Sequence, residues 1–179
     1  MMGPIDANIQ SVTYTIRPAE PTDARQLALL RARLDAETDH FDRFPGEDVL
    51  DEKGFLQLIQ HETGIPHSLL VAEVDRQLVG YARCAGFPLR RFAHKADFGV
   101  GVVRDCWGQG IGRALLQTTL DWARMVELKK IQLAVVETNQ GAVRLYQTTG
   151  FQVEGRLKHD RLLADGLYYD TILMGLLLD

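Results

Sequence analysis

The hydrophobic pattern of the first third of the chain predicts one strand followed by two helices. The segment "TYTIRPA" (13–19) alternates apolar and polar residues and stops at a proline, as a short strand does. The next residues, 21–37, carry helix-start signals at Pro21 and Asp23 and then apolar residues at helical spacing. Residues 41–46 have the composition of a loop, and 51–61 predict a second, shorter helix.

The rest of the chain alternates between strand and helix periodicity. Residues 68–87 predict a hairpin that turns at 75–77, and 95–105 predict a further strand in which Gly99 and Gly101 mark a bulge or a close backbone approach. A helix of about four turns begins near Ile111, and the apolar run 130–138 predicts a buried central strand. A helix over 139–150 and two strands joined through Asp165 and Gly166 complete the chain.

The predicted order β-α-α-β-β-β-α-β-α-β-β defines the fold class. Hairpins at both ends indicate antiparallel flanks, and the two central βα units indicate a parallel step. The expected fold is therefore α/β (α+β), with one mixed, mostly antiparallel sheet of six to seven strands and about four helices. We expect a flexible tail at 1–12 and a single domain at 13–179.

Composition narrows the function classes. The net charge of −4 argues against nucleic-acid binding, and no apolar run is long enough to predict a membrane span. The N-terminus does not resemble a signal peptide, and two cysteines without metal-ligand spacing indicate a reduced, cytoplasmic protein. The five histidines do not cluster, so no metal site is expected. Residues 35–52 hold eight carboxylates and one arginine, which suits either a solvated loop or a surface that attracts a cation.

The stretch "RDCWGQGIGRALL" (104–116) raises the question of anion binding. It lacks the lysine of a P-loop, and Arg113 stands where a dinucleotide-binding turn needs its third glycine. What remains is a strand, a glycine turn and a helix whose first N–H groups are free, flanked by Arg104 and Arg113. Both a structural turn and a pyrophosphate site fit this pattern.

About 30 residues further on, "NQGAVRLYQTTGF" (139–151) places Ala142, Tyr146 and Thr149 on one helix face. A tyrosine in such a stripe covers the core, or it donates a proton to a leaving group of similar basicity, such as a thiolate.

Together and in this order, the two stretches resemble the acetyl-CoA loop and the Asn-helix block of the GCN5-related N-acetyltransferase (GNAT) superfamily. The closing strands also resemble its amino-acid and ribosomal-protein N-terminus acetylating branches. The resemblance implies a splayed central pair of parallel strands and acetyl-CoA as co-substrate. Its implied cofactor contacts are Val102, Val103, Arg104, Gln109, Gly110, Ile111, Gly112, Arg113, Asn139, Ala142 and Tyr146.

The resemblance further implies that Tyr146 is the general acid for the departing thiolate. Asp97 and Glu137 are the candidate bases, with a water chain as the alternative, and Glu37 and Asp39 are the expected acceptor-binding residues. Trp107 departs from the usual Arg or Gln at its position.

The expected activity is acetyl transfer from acetyl-CoA to a primary amine, either a small molecule or a protein N-terminus. The sequence is compatible with a homodimer, and no metal, nucleic-acid or membrane partner is expected. A non-catalytic acyl-CoA-binding domain of the same fold and a nucleotide-binding module are the alternatives.

Overall fold

The computed structural model describes residues 12–60 and 64–179, so the predicted tail lies outside the described residues except for its last position. The elements follow the predicted order. The four helices of the described chain are α1 (Ala24–Glu37), α2 (Glu52–Ile59), α3 (Ile111–Met125) and α4 (Gln140–Thr149). Its seven strands are β1 (Thr15–Pro18), β2 (His67–Val74), β3 (Gln77–Gly86), β4 (Lys95–Val102), β5 (Lys130–Val136), β6 (Gln152–Leu162) and β7 (Tyr168–Leu177).

The strands form one mixed sheet in the order β1-β2-β3-β4-β5-β7-β6. Among the described strands, β4 and β5 form the one parallel pair, and they pair only over Lys95–Asp97 and Lys130–Gln132. Beyond these residues the two strands diverge. The predicted mixed sheet with a splayed parallel pair is confirmed.

For strand β4 the sequence allowed either a bulge or a close backbone approach at its glycines, and the structure shows the close approach. The register of β4 with β3 runs from Gly86–Ala96 to Gly80–Val102 without a shift, so no bulge interrupts it. The glycine at 101 instead allows a close approach, because a Cβ there would lie 2.8 Å from both Leu34 and Phe41. The strand also ends at Val102 rather than at 105, since residues 104–106 form a 3-10 turn.

The core lies between the sheet and the helices. Helix α3 contacts β2, β3 and β4, and one apolar stripe of its side chains is buried, as the 3.6-residue spacing predicts: Ile111, Leu115, Leu116, Leu120 and Ala123. Each such side chain contributes roughly 1.5–3 kcal/mol on burial. Buried residues of β5 and α4 belong to the same cluster, including Ile131, Val143 and Tyr146. This packing fixes β4, β5, α3 and α4 relative to one another. In the described part of the chain, no helix combines the length and apolar character needed to cross a membrane.

An ion pair joins β1 to the start of α1. Arg17 donates two hydrogen bonds to the buried Asp23 at 2.7 and 2.9 Å and also contacts Glu73 of β2. We expect Asp23→Asn to lower the free energy of unfolding by about 2 kcal/mol, because Arg17 loses one of its two charged partners and keeps Glu73. Asp121→Asn, at the exposed ion pair with Arg124, should cost under about 1 kcal/mol. Urea denaturation of both variants measures the difference.

The same pair predicts a pH dependence of stability. Hydrogen bonding from Arg17 lowers the pKa of the Asp23 carboxyl below its usual value. Its contribution is therefore complete above about pH 4 and is lost as the pH falls through the lowered pKa. In Asp23→Asn this part of the acid sensitivity should disappear; equal acid sensitivity in variant and wild type would contradict the assignment.

Candidate active site

The divergence of β4 from β5 leaves peptide groups of β4 without a strand partner. The N–H of Val103 donates to the carbonyl of Val79 at 2.8 Å. Because hydrogen bonding alternates along an antiparallel strand, Gly101 and Gly99 also direct their peptide groups toward β3. Val100 and Val102, which alternate with them, direct their N–H and C=O groups to the open side. Val103 is 1% exposed and its N–H is occupied, so the structure does not bring this predicted cofactor contact to the open side. Val100, absent from the sequence-based set, takes that place.

Strand β5 presents a matching edge. The N–H of Glu137 donates to the carbonyl of Asp170 at 3.0 Å, which fixes the alternation along β5. Ala134 and Val136 therefore direct their peptide groups away from β7, and the Val136 carbonyl accepts the Asn139 N–H at 3.0 Å, which leaves Ala134 and the Val136 N–H on the open side. Two strand edges face each other across the divergence, an arrangement that accepts an extended, hydrogen-bonding ligand in the manner of an added strand.

A cavity of about 1020 Å³ occupies this divergence. It extends from the glycine turn, past the facing strand edges, to the connection between α1 and α2. The predicted site residues that line it are Asp97, Val102, Gly110, Ile111, Gly112, Arg113, Asn139, Ala142 and Tyr146. Those that do not are Glu37, Asp39, Val103, Arg104, Gln109 and Glu137.

The glycine turn forms one end of the cavity. Gly108 and Gly110 adopt left-handed conformations, with φ of +74° and +84°, and Gly110 is the N-cap of α3. The turn delivers the first-turn N–H groups of a 15-residue helix to the cavity, where the helix dipole favours an anion. Arg113 lies beside them and donates to the Thr148 hydroxyl at 3.0 Å.

Two other residues of this turn that were predicted to contact the cofactor, Arg104 and Gln109, bind other residues of the protein. The backbone N–H of Arg104 donates to the Glu37 carboxylate at 2.7 Å, and its guanidinium donates to the Glu37 carbonyl. The Gln109 side chain donates to the Asp105 carbonyl at 3.4 Å, and its buried Oε1 has no partner among the described residues. Arg104 joins the turn to the end of α1, and Gln109 bonds within the turn.

Trp107 has a structural reason to depart from the Arg or Gln of the resemblance. Its indole N–H donates to the Val102 carbonyl at 2.7 Å, and its ring stacks on His40 with 6.5 Å between centroids. The Arg104 guanidinium lies 5.6 Å from the same ring. Trp107 thus joins the glycine turn, the end of β4 and the α1–α2 connection.

We expect Trp107→Phe to raise the Kd for acetyl-CoA by roughly three- to tenfold, the effect of one lost hydrogen bond. The aromatic ring remains, but Val102 and the glycine turn lose their tether. Trp122→Phe makes the same change on α3, away from the cavity, and should leave the Kd unchanged. Calorimetric titration measures both; an unaltered Kd in Trp107→Phe would contradict the tether.

Helix α4 positions Tyr146 on the cavity wall. Asn139 caps the helix by accepting the Ala142 N–H at 3.2 Å, and Gly150 ends it with φ of +106°. The capping occupies the Asn139 side-chain oxygen, so its amide N–H groups are what it offers to a ligand.

The Tyr146 ring is 5% exposed and packs against Phe98 and Phe151, at centroid distances of 6.3 and 5.6 Å. Its hydroxyl lines the cavity and has no hydrogen-bond partner within 12–60 and 64–179. Burial raises the pKa of Tyr146 to about 12, so the hydroxyl holds its proton at neutral pH. It is available as a donor.

The two candidate bases differ. Asp97 is exposed, lines the cavity and accepts a hydrogen bond from Gln132 at 2.7 Å. Glu137 lies outside the cavity, where it accepts the Asp170 N–H at 2.8 Å and pairs with Arg156 at 2.8 Å. Hydrogen bonds from the Asp170 backbone and from Arg156 lower the Glu137 pKa. A carboxylate with both oxygens engaged and a lowered pKa is a poor proton acceptor near pH 7.

The acidic segment engages most of its charges internally. Glu37 binds Arg33 and the Arg104 N–H, and Asp39 lies in a second cavity of about 500 Å³. The other engaged carboxylates are Asp35 with Arg43, Asp42 with Arg161, Asp48 with Arg31, Glu47 with the Phe44 N–H and Asp51 with the Gly54 N–H. These contacts leave less negative charge for a cationic acceptor than the sequence suggested.

Three arginines that line the large cavity were absent from the sequence-based set: Arg43, Arg144 of α4 and Arg161. Arg43 belongs to the α1–α2 connection and Arg161 to the end of β6. One feature of the sequence could have pointed to Arg43, which is the lone basic residue within the acidic segment. No such feature pointed to Arg161, because only the fold brings it there. No cluster of metal-ligating side chains occurs among the residues that the structure describes.

Comparison with known proteins agrees with this geometry. The acetyltransferase (GNAT) family profile matches residues 31–151. The chain is 32% identical to the N-alpha-acetyltransferase RimI of Mycobacterium tuberculosis, over 79% of this chain and 80% of that protein. It is 30% identical to the L-amino acid N-acetyltransferase AaaT of Escherichia coli, over 59% of this chain.

A GNAT-family acetyltransferase structure from Streptococcus pneumoniae superposes with a TM-score of 0.88 at 28% identity, covering 93% of this chain and all of that one. The chain spans 65% of the length of AaaT and 37% of that of another curated relative. The matched region contains the glycine turn, both strand edges and Tyr146. The chain belongs to the acetyltransferase (GNAT) family.

Proposed function

We propose that the protein transfers the acetyl group of acetyl-CoA to a primary amine by direct attack in a ternary complex. The observation that carries this proposal is the pair of strand edges that do not bond to each other, at Val100/Val102 and Ala134, with the glycine turn at one end and Tyr146 in the same cavity. Family membership supports the same activity.

In this proposal the first-turn N–H groups of α3 hold the pyrophosphate, together with Gly110 and Arg113. The peptide groups of Val100 and Ala134 and the N–H of Val102 hold the pantetheine arm as a strand between β4 and β5, while the Val102 carbonyl stays bonded to Trp107. Asn139 and Ala142 contact the arm from the start of α4. The cavity volume suits a ligand of this size.

The acetyl thioester supplies an activated carbonyl when the co-substrate is bound. Asp97, directly or through water, takes the proton that the incoming ammonium must lose. The N–H groups on the open side of β4 stabilise the oxyanion that forms as the amine attacks. As the C–N bond forms and the C–S bond breaks, Tyr146 donates its proton to the departing thiolate, and the second proton that the amine nitrogen loses returns to Tyr146 through water. Positioning of the two substrates supplies much of the rate, and no covalent enzyme intermediate is needed.

The proposal extends to the cellular compartment, the oligomeric state and the class of acceptor. The two free cysteines support a reducing, cytoplasmic compartment, and the exposed edge strand β6 supports a homodimer. Amino acids and protein N-termini are the acceptors that the names of AaaT and RimI suggest.

The first experiment measures thermal unfolding in the presence of ligands and tests whether the protein binds acetyl-CoA. Acetyl-CoA at 100 times its Kd should stabilise the protein by about 2.7 kcal/mol. ATP and NAD should stabilise it less; the reverse order would favour a nucleotide-binding module. Thiol release from acetyl-CoA in the presence of amines then separates an enzyme from a non-catalytic binder, which would bind without release.

A further inference from the structure

Two arginine side chains flank the end of the cleft that lies opposite the glycine turn. Arg43 and Arg161 line both the large cavity and the adjoining one of about 500 Å³. Their side chains are 20% and 16% exposed, so each guanidinium is mostly withdrawn from water yet borders open space. A guanidinium in this setting binds a carboxylate more strongly than one on the open surface.

Arg43 lies on the β4 side of the cleft. It donates to both oxygens of the buried Asp35, at 2.9 and 3.1 Å, and it interacts electrostatically with Tyr81. Tyr81 is the β3 partner of Gly101 on β4. The Asp35 pair uses Nε and Nη2, so Nη1 keeps its donors without a partner in the described chain. Arg43 is therefore fixed in place and retains hydrogen-bonding capacity.

Arg161 lies on the β5 side. Its Nε donates to the Thr171 hydroxyl at 3.1 Å, and Thr171 is the β7 partner of Val136 on β5. Its Nη1 donates to the His40 carbonyl at 3.4 Å, and its Nη2 forms an ion pair at 2.8 Å with Asp42, whose side chain is 74% exposed. An exposed carboxylate gains little from such a pair and can be displaced by another. A ligand carboxylate can therefore replace Asp42 at Nη2 of Arg161.

We infer that the acceptor is an amine that also carries a carboxylate, and that Arg161, assisted by Nη1 of Arg43, binds this carboxylate in place of Asp42. The inference rests on the proposed acetyl transfer and names its substrate class. Nη2 of Arg161, once released from Asp42, and Nη1 of Arg43 are donors on two fixed side chains, and charge-assisted hydrogen bonds from both would fix the direction of the amine as well as its affinity. A polyamine would place positive charge against both arginines and is disfavoured.

The test uses matched acceptors that differ only in the carboxylate. Several L-amino acids are compared with their α-amides and their decarboxylated amines, and spermidine is added as a cation without a carboxylate. Thiol release from acetyl-CoA gives kcat and KM for each. We expect kcat/KM for the free acid to exceed that of its amide and amine by roughly tenfold or more.

Variants then assign the effect to the arginine. Arg161→Gln should raise KM for the free acid by roughly 10- to 100-fold, with kcat and the kinetics of the amide changed little. Asp42→Asn should act in the opposite direction and lower KM for the acid, since it removes the competing carboxylate. Arg25→Gln, an exposed position on α1, is the matched control. An unchanged acetyl-CoA Kd verifies that each variant is folded.

The outcomes separate the two proposals. Equal rates for acid, amide and amine, or a preference for spermidine, would overturn the carboxylate inference and leave acetyl transfer standing. If Arg161→Gln does not fold, Asp42→Asn still decides, because an unchanged KM for the acid would contradict competition at Arg161. Acetyl-CoA binding without release for any acceptor would overturn both.

Discussion

Replacing Tyr146 by phenylalanine is expected to lower kcat by roughly 10²- to 10⁴-fold while leaving the Kd for acetyl-CoA unchanged. The ring keeps its contacts with Phe98 and Phe151, so the substitution removes the hydroxyl without opening the core. Steady-state thiol release at saturating substrates measures kcat, and calorimetric titration measures the Kd. Tyr168→Phe, at an exposed tyrosine of β7, is the control and should change neither.

The same residue predicts part of the pH profile. An acid must be protonated to act, and burial raises the Tyr146 pKa to about 12. The wild-type enzyme should therefore lose activity through this group only as the pH approaches about 12. An unaltered kcat in Tyr146→Phe would remove the hydroxyl from this role and leave water as the proton donor.

The second large effect is expected at the glycine turn. Gly110→Glu should weaken acetyl-CoA binding by roughly 100-fold or more, because it places a carboxylate beside the N–H groups that bind the pyrophosphate. It also forces a side chain into a left-handed conformation, with φ of +84°.

A matched control separates charge at the site from backbone strain. Gly166 has φ of +79°, lies in the β6–β7 turn and has open space around its Cβ position. Gly166→Glu therefore imposes the same strain and charge far from the cavity, and its Kd should match the wild type. Normal acetyl-CoA binding by a folded Gly110→Glu variant would contradict the assignment of the turn.

The order of elements and the mixed sheet could be predicted from the sequence because each depends on local periodicity and turn residues. The apolar stripe of α3 and the double-sided apolar run of β5 specify burial directly. The glycine turn and Tyr146 could be assigned to one cofactor site because the two stretches that contain them, in this order and about 30 residues apart, resemble a known family.

The finer details of the site depend on information that a linear pattern lacks. Whether Val100 or Val103 faces the cleft is set by the phase of hydrogen bonding with β3, since alternate residues point in opposite directions. The role of Trp107 depends on the Val102 carbonyl and on His40, which only the fold brings near it.

Charge was the least predictable property. The acidic segment suggested a cation, but its carboxylates find arginine partners that are distant in sequence, such as Arg161 for Asp42. Pairing offsets part of the negative charge, and it brings the partly engaged guanidiniums of Arg43 and Arg161 to the cavity. A count of charges along a segment cannot include partners that the fold supplies.

The most direct test of the central claim is to follow the acetyl group itself. Acetyl-CoA labelled in its acetyl carbon is incubated with the protein and a panel of amino acids, amides and amines, and label and free thiol are measured together. We predict that one acceptor gains one label for each thiol released, and that Tyr146→Phe slows both equally. Saturable acetyl-CoA binding with no label on any acceptor would contradict an acetyltransferase.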